Sequence, residues 1–232
     1  MQQAIEKGDV LQRIAGIALI VGAIVVAVFN GLLPRADDPS QVQQVLTKLG
    51  DNETFAQIVY VCLAAGMWLL LGGIAGVYRS LSTGAAAAWA RLGFYSTIVT
   101  VSVWTVVFAT GLGEAGAAGN LAEKTLGTPE WSMAYSVAAA VHAVNMAVFS
   151  LGIVVQWVAI VLLGIAVSLS TLYPRWLGWI AIVLGVVTVP AIGIPQAIAG
   201  PSQTIDLLFL IFSGLTLLWA LVMGILITRK AW

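Results

Sequence analysis

Polar side chains are rare inside the apolar sequence of this 232-residue chain, so the few that occur there define the chemistry open to it. His142 is the single histidine. Asn145 follows three positions on and Gln156 eleven beyond that, a spacing that puts all three on one face of a helix. An imidazole flanked by two amides suits hydrogen bonding to a small ligand. The sharper alternatives are axial ligation of haem or a chlorophyll-type pigment, or copper ligation with Met146 one turn away. No second histidine supports a metal, and no nucleophile stands beside a base. The expectation is therefore a protein that is not an enzyme and has no cofactor or metal site, with His142, Asn145 and Gln156 as the candidate ligand-binding residues.

Other polar groups have plain readings. Glu114, Glu123 and Glu130 fall in a glycine-rich gap, Gly113 to Ser132, where carboxylates solvate a loop. Asp206 sits where the first turn of a helix favours a negative charge, with Ser202 and Thr204 as nearby caps. No ionisable residue is expected at mid-depth of any span, which argues against proton or sodium coupling. Cys62, the only cysteine, reads as a small apolar side chain and excludes an intrachain disulfide. Pro190, Gly193 and Pro195 interrupt one apolar stretch. Pro190 cannot donate to the carbonyl of Val186, so a neighbouring amide is expected to take its place, with Gln156 at similar depth as the donor.

The elements that must position these groups are membrane helices. The chain is 60% apolar and 9% charged, against roughly 25% charged residues in soluble domains. Ten basic and ten acidic residues cancel, so no basic face exists for nucleic acid. A bilayer core of about 30 Å takes about 20 helical residues. Spans are expected near 14–33, 55–78, 92–112, 134–172, 177–196 and 207–228. The first is longer than a typical signal-peptide core and reads as retained. The fourth lies in Trp131–Tyr173, 43 residues with neither formal charge nor proline, which as one helix would reach about 64 Å.

Counting Lys and Arg decides between one overlong helix and a hairpin there. With one helix, seven basic residues (Lys7, Arg13, Arg79, Arg91, Arg175, Arg229, Lys230) fall on the side of both termini and three (Arg35, Lys48, Lys124) on the other. A hairpin reverses this to four against six. Six spans with both termini cytoplasmic is the expected topology, and the fold class is an all-α polytopic bundle. Helix four must then project beyond the outer surface, carrying His142 to about 45 Å and Gln156 to about 24 Å above its inner end. His142 is accordingly placed at the outer headgroups. Trp89, Trp176, Trp179 and Trp232 fit an inner aromatic belt, whereas Trp68, Trp104, Trp157 and Trp219 read as packing.

Between the first two spans, Asp38-Pro39 opens and Gly50 closes a short amphipathic helix with Val42, Val45, Leu46 and Leu49 on one stripe. That stripe could lie on lipid or pack on the projecting end of helix four. Gly72-x-x-x-Gly76 and Ala18-x-x-x-Gly22 are small-residue pairs suited either to internal packing or to an oligomer contact.

At Gln12-Arg13-Ile14-Ala15-Gly16 and at Tyr173-Pro174-Arg175-Trp176-Leu177-Gly178-Trp179 the chain resembles the bacterial domain-of-unknown-function family 4386. The resemblance implies a polytopic protein of the bacterial plasma (inner) membrane with no assigned activity, and it brings no catalytic residues. The leading expectation for function is a non-catalytic structural or accessory subunit, with membrane lipids and other integral membrane subunits as partners. The alternative is a passive transporter or binder of a small or lipidic molecule, entered between the broken helix and the polar face of helix four.

Overall fold

A computed structural model describes residues 9–230. The expected Lys7 of the inner charge count and Trp232 of the aromatic belt lie outside the described residues. Within them the chain is all-α, with α1 (Val10–Leu32), α2 (Val42–Gly50), α3 (Glu53–Ser80), α4 (Gly84–Ala122), α5 (Pro129–Ser168), α6 (Arg175–Thr188), α7 (Ile194–Ala199) and α8 (Gln203–Lys230). Six spans, with α6 and α7 forming one of them, are long and apolar enough to cross a membrane. The protein is a multi-pass membrane bundle.

Each span packs chiefly on its neighbours in sequence, and α8 closes back onto α1, so the six make a ring. Sequential antiparallel packing is what short connections impose. Apolar side chains such as Ile17, Val28, Val99, Leu151 and Val183 stay exposed on the ring's outside, where lipid rather than water is the solvent.

The α1–α3 seam shows how closely the helices meet. A Cβ on Gly73 would fall 2.4 Å from Leu19 Cβ, and one on Gly76 2.4 Å from Ala15 Cβ, so neither position admits a side chain. Without a hydrophobic force between helices in lipid, such backbone approach is the main source of packing energy. The small residues thus serve internal packing. Gly72 is peripheral, with only Ala18 Cβ at 4.0 Å.

The face carrying both ends of the described chain is latched by hydrogen bonds. Gln12 Nε2 donates to the Gly76 carbonyl at 2.8 Å, Ser80 Oγ and Tyr173 Oη lie 2.7 Å apart, and Trp219 Nε1 donates to the Leu177 carbonyl at 2.9 Å. Lys230 Nζ reaches the Leu172 carbonyl, and Arg79 pairs with Asp9 at 3.1 Å. A core of Leu19, Ile74, Leu163, Trp219 and Met223 fills the bundle between α1, α3, α5 and α8. Trp176 and Trp179 are exposed as a belt requires, and Trp104, Trp157 and Trp219 are buried. Trp68 departs from its packing role: it is 57% exposed on the lipid side, its Nε1 donating to Thr105 Oγ1. Cys62 is half-buried rather than a core side chain.

At the opposite face two expectations are corrected and one open alternative is settled. The third span does not end at Leu112; α4 continues as helix to Ala122, because Gly113–Asn120 is mostly alanine and glycine laid against a partner helix. It thereby matches α5, which is continuous over 40 residues from a Thr128 cap and Pro129. Both helices are longer than a bilayer core of about 30 Å requires, and they pack against each other. The short amphipathic helix starts at Val42 rather than Pro39, since Asp38 instead closes a turn by accepting from Ser40 Oγ, Ser40 N and Gln41 Nε2. Those bonds hold the Asp38 carboxyl below the usual carboxylate range. Its stripe packs on protein, mainly the end of α4 with a lesser contact to α5: Leu46 and Leu49 are buried, and Gly50 sits so close that a Cβ would meet the Ala118 carbonyl at 2.5 Å.

Candidate functional site

The ring holds an elongated, partly open cavity of about 260 Å³. Its walls on α5 run from His142 to Leu163, a rise of about 32 Å. Toward the α2 face it ends under the loop between α1 and α2, with Pro34 and Arg35 in its wall, and Pro201 before α8 closes the other side. Gln203 Nε2, donating to the Asp37 carbonyl, ties these two loops together across that end.

The polar end of the cavity is built on Glu114. His142 Nδ1 and Glu114 Oε1 share a hydrogen bond at 2.6 Å, and Asn145 Nδ2 donates to Oε2 at 2.6 Å. Thr110 Oγ1 donates in turn to Asn145 Oδ1 at 2.9 Å. Glu114 is 1% exposed, Asn145 3% and His142 5%. Two sequence expectations fall here. Glu114 is not a solvated loop carboxylate but a helical one facing α5. His142 is not a freely hydrated interfacial histidine but one walled in by protein. The depth arithmetic holds as geometry, since His142 lies 26 residues or about 39 Å up α5 from Ser168. At that height α4 replaces water beside it. The pair is buried by protein near the ends of α4 and α5, not at mid-depth of a span.

With Glu114 ionised, a group that only accepts, the contact places a hydrogen on His142 Nδ1 and directs Nε2 to the other side of the ring. Nε2 has no hydrogen-bond partner among the described residues, and His142 lines the cavity. The arrangement of a carboxylate fixing one ring nitrogen while the other is presented to a ligand is one that proteins use to orient imidazoles. Among the described residues no group of three His, Cys, Asp or Glu side chains could hold a metal ion. The imidazole can instead accept a hydrogen bond or exchange a proton.

Further groups surround this end. Tyr60, from α3, lies against Gly111 of α4, where a Cβ would meet its ring at 2.7 Å, and within electrostatic reach of Glu114 and Arg35. Arg35 Nη2 donates to the Asn30 carbonyl at 2.7 Å and to its Oδ1 at 3.0 Å. Burial lowers the pKa of the Arg35 guanidinium, and Asp206, facing it from α8, opposes that shift. It stays charged, as arginine does throughout the accessible range. Asp206 keeps its first-turn place, and Ser202 Oγ caps α8 by accepting from Ile205 N. Asp206 also lines the cavity, a position that sequence offsets do not reveal.

Below the charged groups the walls become aromatic. Phe149 meets Trp104 edge-on at 5.5 Å between ring centroids and Phe209 at 5.3 Å, with Phe108 5.6 Å from Trp104. Two buried polar atoms among these lining residues have no partner, Trp104 Nε1 and Gln196 Oε1. Buried polar groups are normally satisfied, and each exception calls for a reason.

Gln156 lies deeper, half-buried on the cavity wall with Thr97, Thr100 and Thr216. It makes no hydrogen bond to the broken helix, contrary to expectation. The break is accommodated within its own backbone: Val189–Gly193 forms a single π turn, and the Ile194 N–H donates to the Val189 carbonyl five residues back. Widening the helix by one residue lets backbone groups displaced by Pro190 and Pro195 find partners locally. His142, Asn145 and Gln156 thus share one cavity, the first two in direct contact with Glu114 and the third about 21 Å below His142 along α5.

Comparisons with protein-family models, with curated proteins and with solved structures return no match.

Proposed function

We propose that this protein is a non-catalytic binder or passive carrier of a small amphipathic molecule, held inside the helix ring with its polar head toward Glu114 and His142. The observation that carries the reading is the cavity itself: a narrow apolar passage reaching Gln156, capped at one end by a buried Glu–His–Asn cluster and walled by buried polar atoms that lack partners. A helix bundle whose only task is to pack against other subunits gains nothing from leaving such atoms unsatisfied in its centre. This favours the binding reading over that of an accessory subunit. The seven-to-three distribution of basic residues supports placing the α2 face, and the cavity's polar end, on the outer side of a bacterial plasma membrane.

The test is extraction of the purified protein, delipidated and reconstituted in nanodiscs, followed by mass spectrometry of retained small molecules. Ala159 is buried on the cavity wall, so Ala159→Phe projects a ring into the passage. A stoichiometric amphiphile present in the wild type and lost from this variant is expected. Equal retention by both forms, or stoichiometric protein partners with no retained small molecule, refutes the reading.

A further inference from the structure

The geometry points to an organic ammonium as the head of the bound molecule, an alkylamine-type cation that takes Glu114 as its counter-ion and competes with the proton that neutralises the buried Glu114–His142 pair. The inference rests on the binding reading above and names the ligand class of that same cavity.

Charge is the first argument. Four ionisable side chains apart from Tyr60 line the cavity: Arg35, Glu114, His142 and Asp206. Arg35 is tethered to Asn30 and faces Asp206, so these two offset each other. Glu114 has no fixed basic partner; its contacts are an imidazole and an amide. When His142 carries only its Nδ1 hydrogen, the cavity holds one uncompensated negative charge in a wall of low polarity. Such a charge is neutralised by a proton on the carboxyl or on the imidazole, or by another cation. An anionic ligand would meet two carboxylates.

The second argument is the supply of acceptors. Gln196 Oε1 is buried and unpartnered, and His142 Nε2 is an open acceptor whenever the imidazole is neutral. Each Glu114 oxygen accepts one bond and has a lone pair to spare. A protonated amine brings N–H donors and no acceptor, which matches this set. The rings of Tyr60, Phe108 and Phe149 line the same end, and aromatic faces attract ammonium groups. Leu63, Met67 and Ile74 below them suit an alkyl chain.

Proton competition follows from the pair. The groups facing it are Tyr60 from α3, Arg35 from the loop and Asp206 from α8, while Glu53 lies against Gly119 on the far end of α4. None of them supplies a fixed cation to Glu114 directly. Entry of an ammonium therefore displaces to water the proton that neutralises the Glu114–His142 pair, and the affinity rises with pH by up to about tenfold per unit wherever the empty site holds that proton.

The experiment uses the full chain in nanodiscs with three probes of equal chain length, hexylammonium, hexanol and hexyl sulfate, titrated by calorimetry at several pH values and in two buffers of different ionisation enthalpy. Saturable binding of hexylammonium, at least about tenfold tighter than that of the other two, with close to one proton released per ligand, is expected. Glu114→Gln should weaken hexylammonium about tenfold or more and flatten the pH profile. Proton release by the wild type needs no substitution, so a variant that fails to fold leaves the test intact. Equal binding of all three probes, or tight ammonium binding without proton release, overturns the inference and leaves the binding reading standing. No saturable binding of any probe overturns both.

Discussion

Replacing Glu114 by alanine separates a buried keystone from a solvated loop carboxylate. In the folded chain Glu114 is hydrogen-bonded to His142 Nδ1 and Asn145 Nδ2, both at 2.6 Å and both in residues at most 5% exposed. Hydrogen bonds to a charged group are worth about 1.5–3 kcal/mol each, whereas membrane-protein hydrogen bonds average about 0.6 kcal/mol in double-mutant cycles. The site borders a cavity, so some relief by water is available to the stranded donors. Glu114→Ala should then cost about 2–4 kcal/mol. His142→Phe removes one of those donors, and in the double variant the loss should fall short of the sum by about 1–2 kcal/mol. The assay is reversible unfolding in mixed micelles, followed by far-ultraviolet circular dichroism across a denaturing-detergent series for wild type, both single variants and the double. A Glu114→Ala change within about 0.5 kcal/mol of wild type is what a surface loop gives, and it would refute the reasoning. Strict additivity would show that the His142 contact is not made.

Three further outcomes follow from the packing. Gly73→Val should destabilise by at least about 1–3 kcal/mol, because its Cβ would overlap Leu19 at 2.4 Å, while Gly72→Ala, with 4.0 Å to Ala18, should be neutral or slightly stabilising; equal effects of the two in the same unfolding assay would contradict the α1–α3 seam. Leu46→Ala should cost about 2–4 kcal/mol, since Leu46 is fully buried under α2, and an unchanged transition would mean that the stripe rests on lipid. Tyr173, in the turn between α5 and α6, has its pKa pushed up to about 12 by burial, opposed by its hydrogen bond with Ser80. A raised pKa means that the folded state holds the proton more tightly, so this contribution is complete below about pH 10 and is lost as pH rises toward 12. The difference absorbance titration between wild type and Tyr173→Phe should show no phenolate below about pH 11; ionisation near 10 would place the ring in water.

Span number, the continuity of α5 and the proline break were legible in the sequence because each depends on short-range physics. Twenty apolar residues must cross a bilayer as helix wherever they fold, a stretch without proline or turn residues has no reason to reverse, and proline lacks its N–H in every context. His142 and Asn145 could be put on one face by the same periodicity. Their partner could not. Glu114 stands 28 residues from His142 on a different helix, in a glycine-rich segment whose composition reads as loop, and only contact with α5 and α2 makes that segment helical and dry. The same limit applies to the sealed α2 stripe, to the inward position of Asp206 and to the π turn that freed Gln156 to line the cavity. Composition and periodicity determine which residues can enter a membrane and which share a face. The sign and charge balance of a cavity depend on which faces meet, and those meetings are decided by the closing of α8 onto α1 and by the pairing of two helices that both outrun the bilayer.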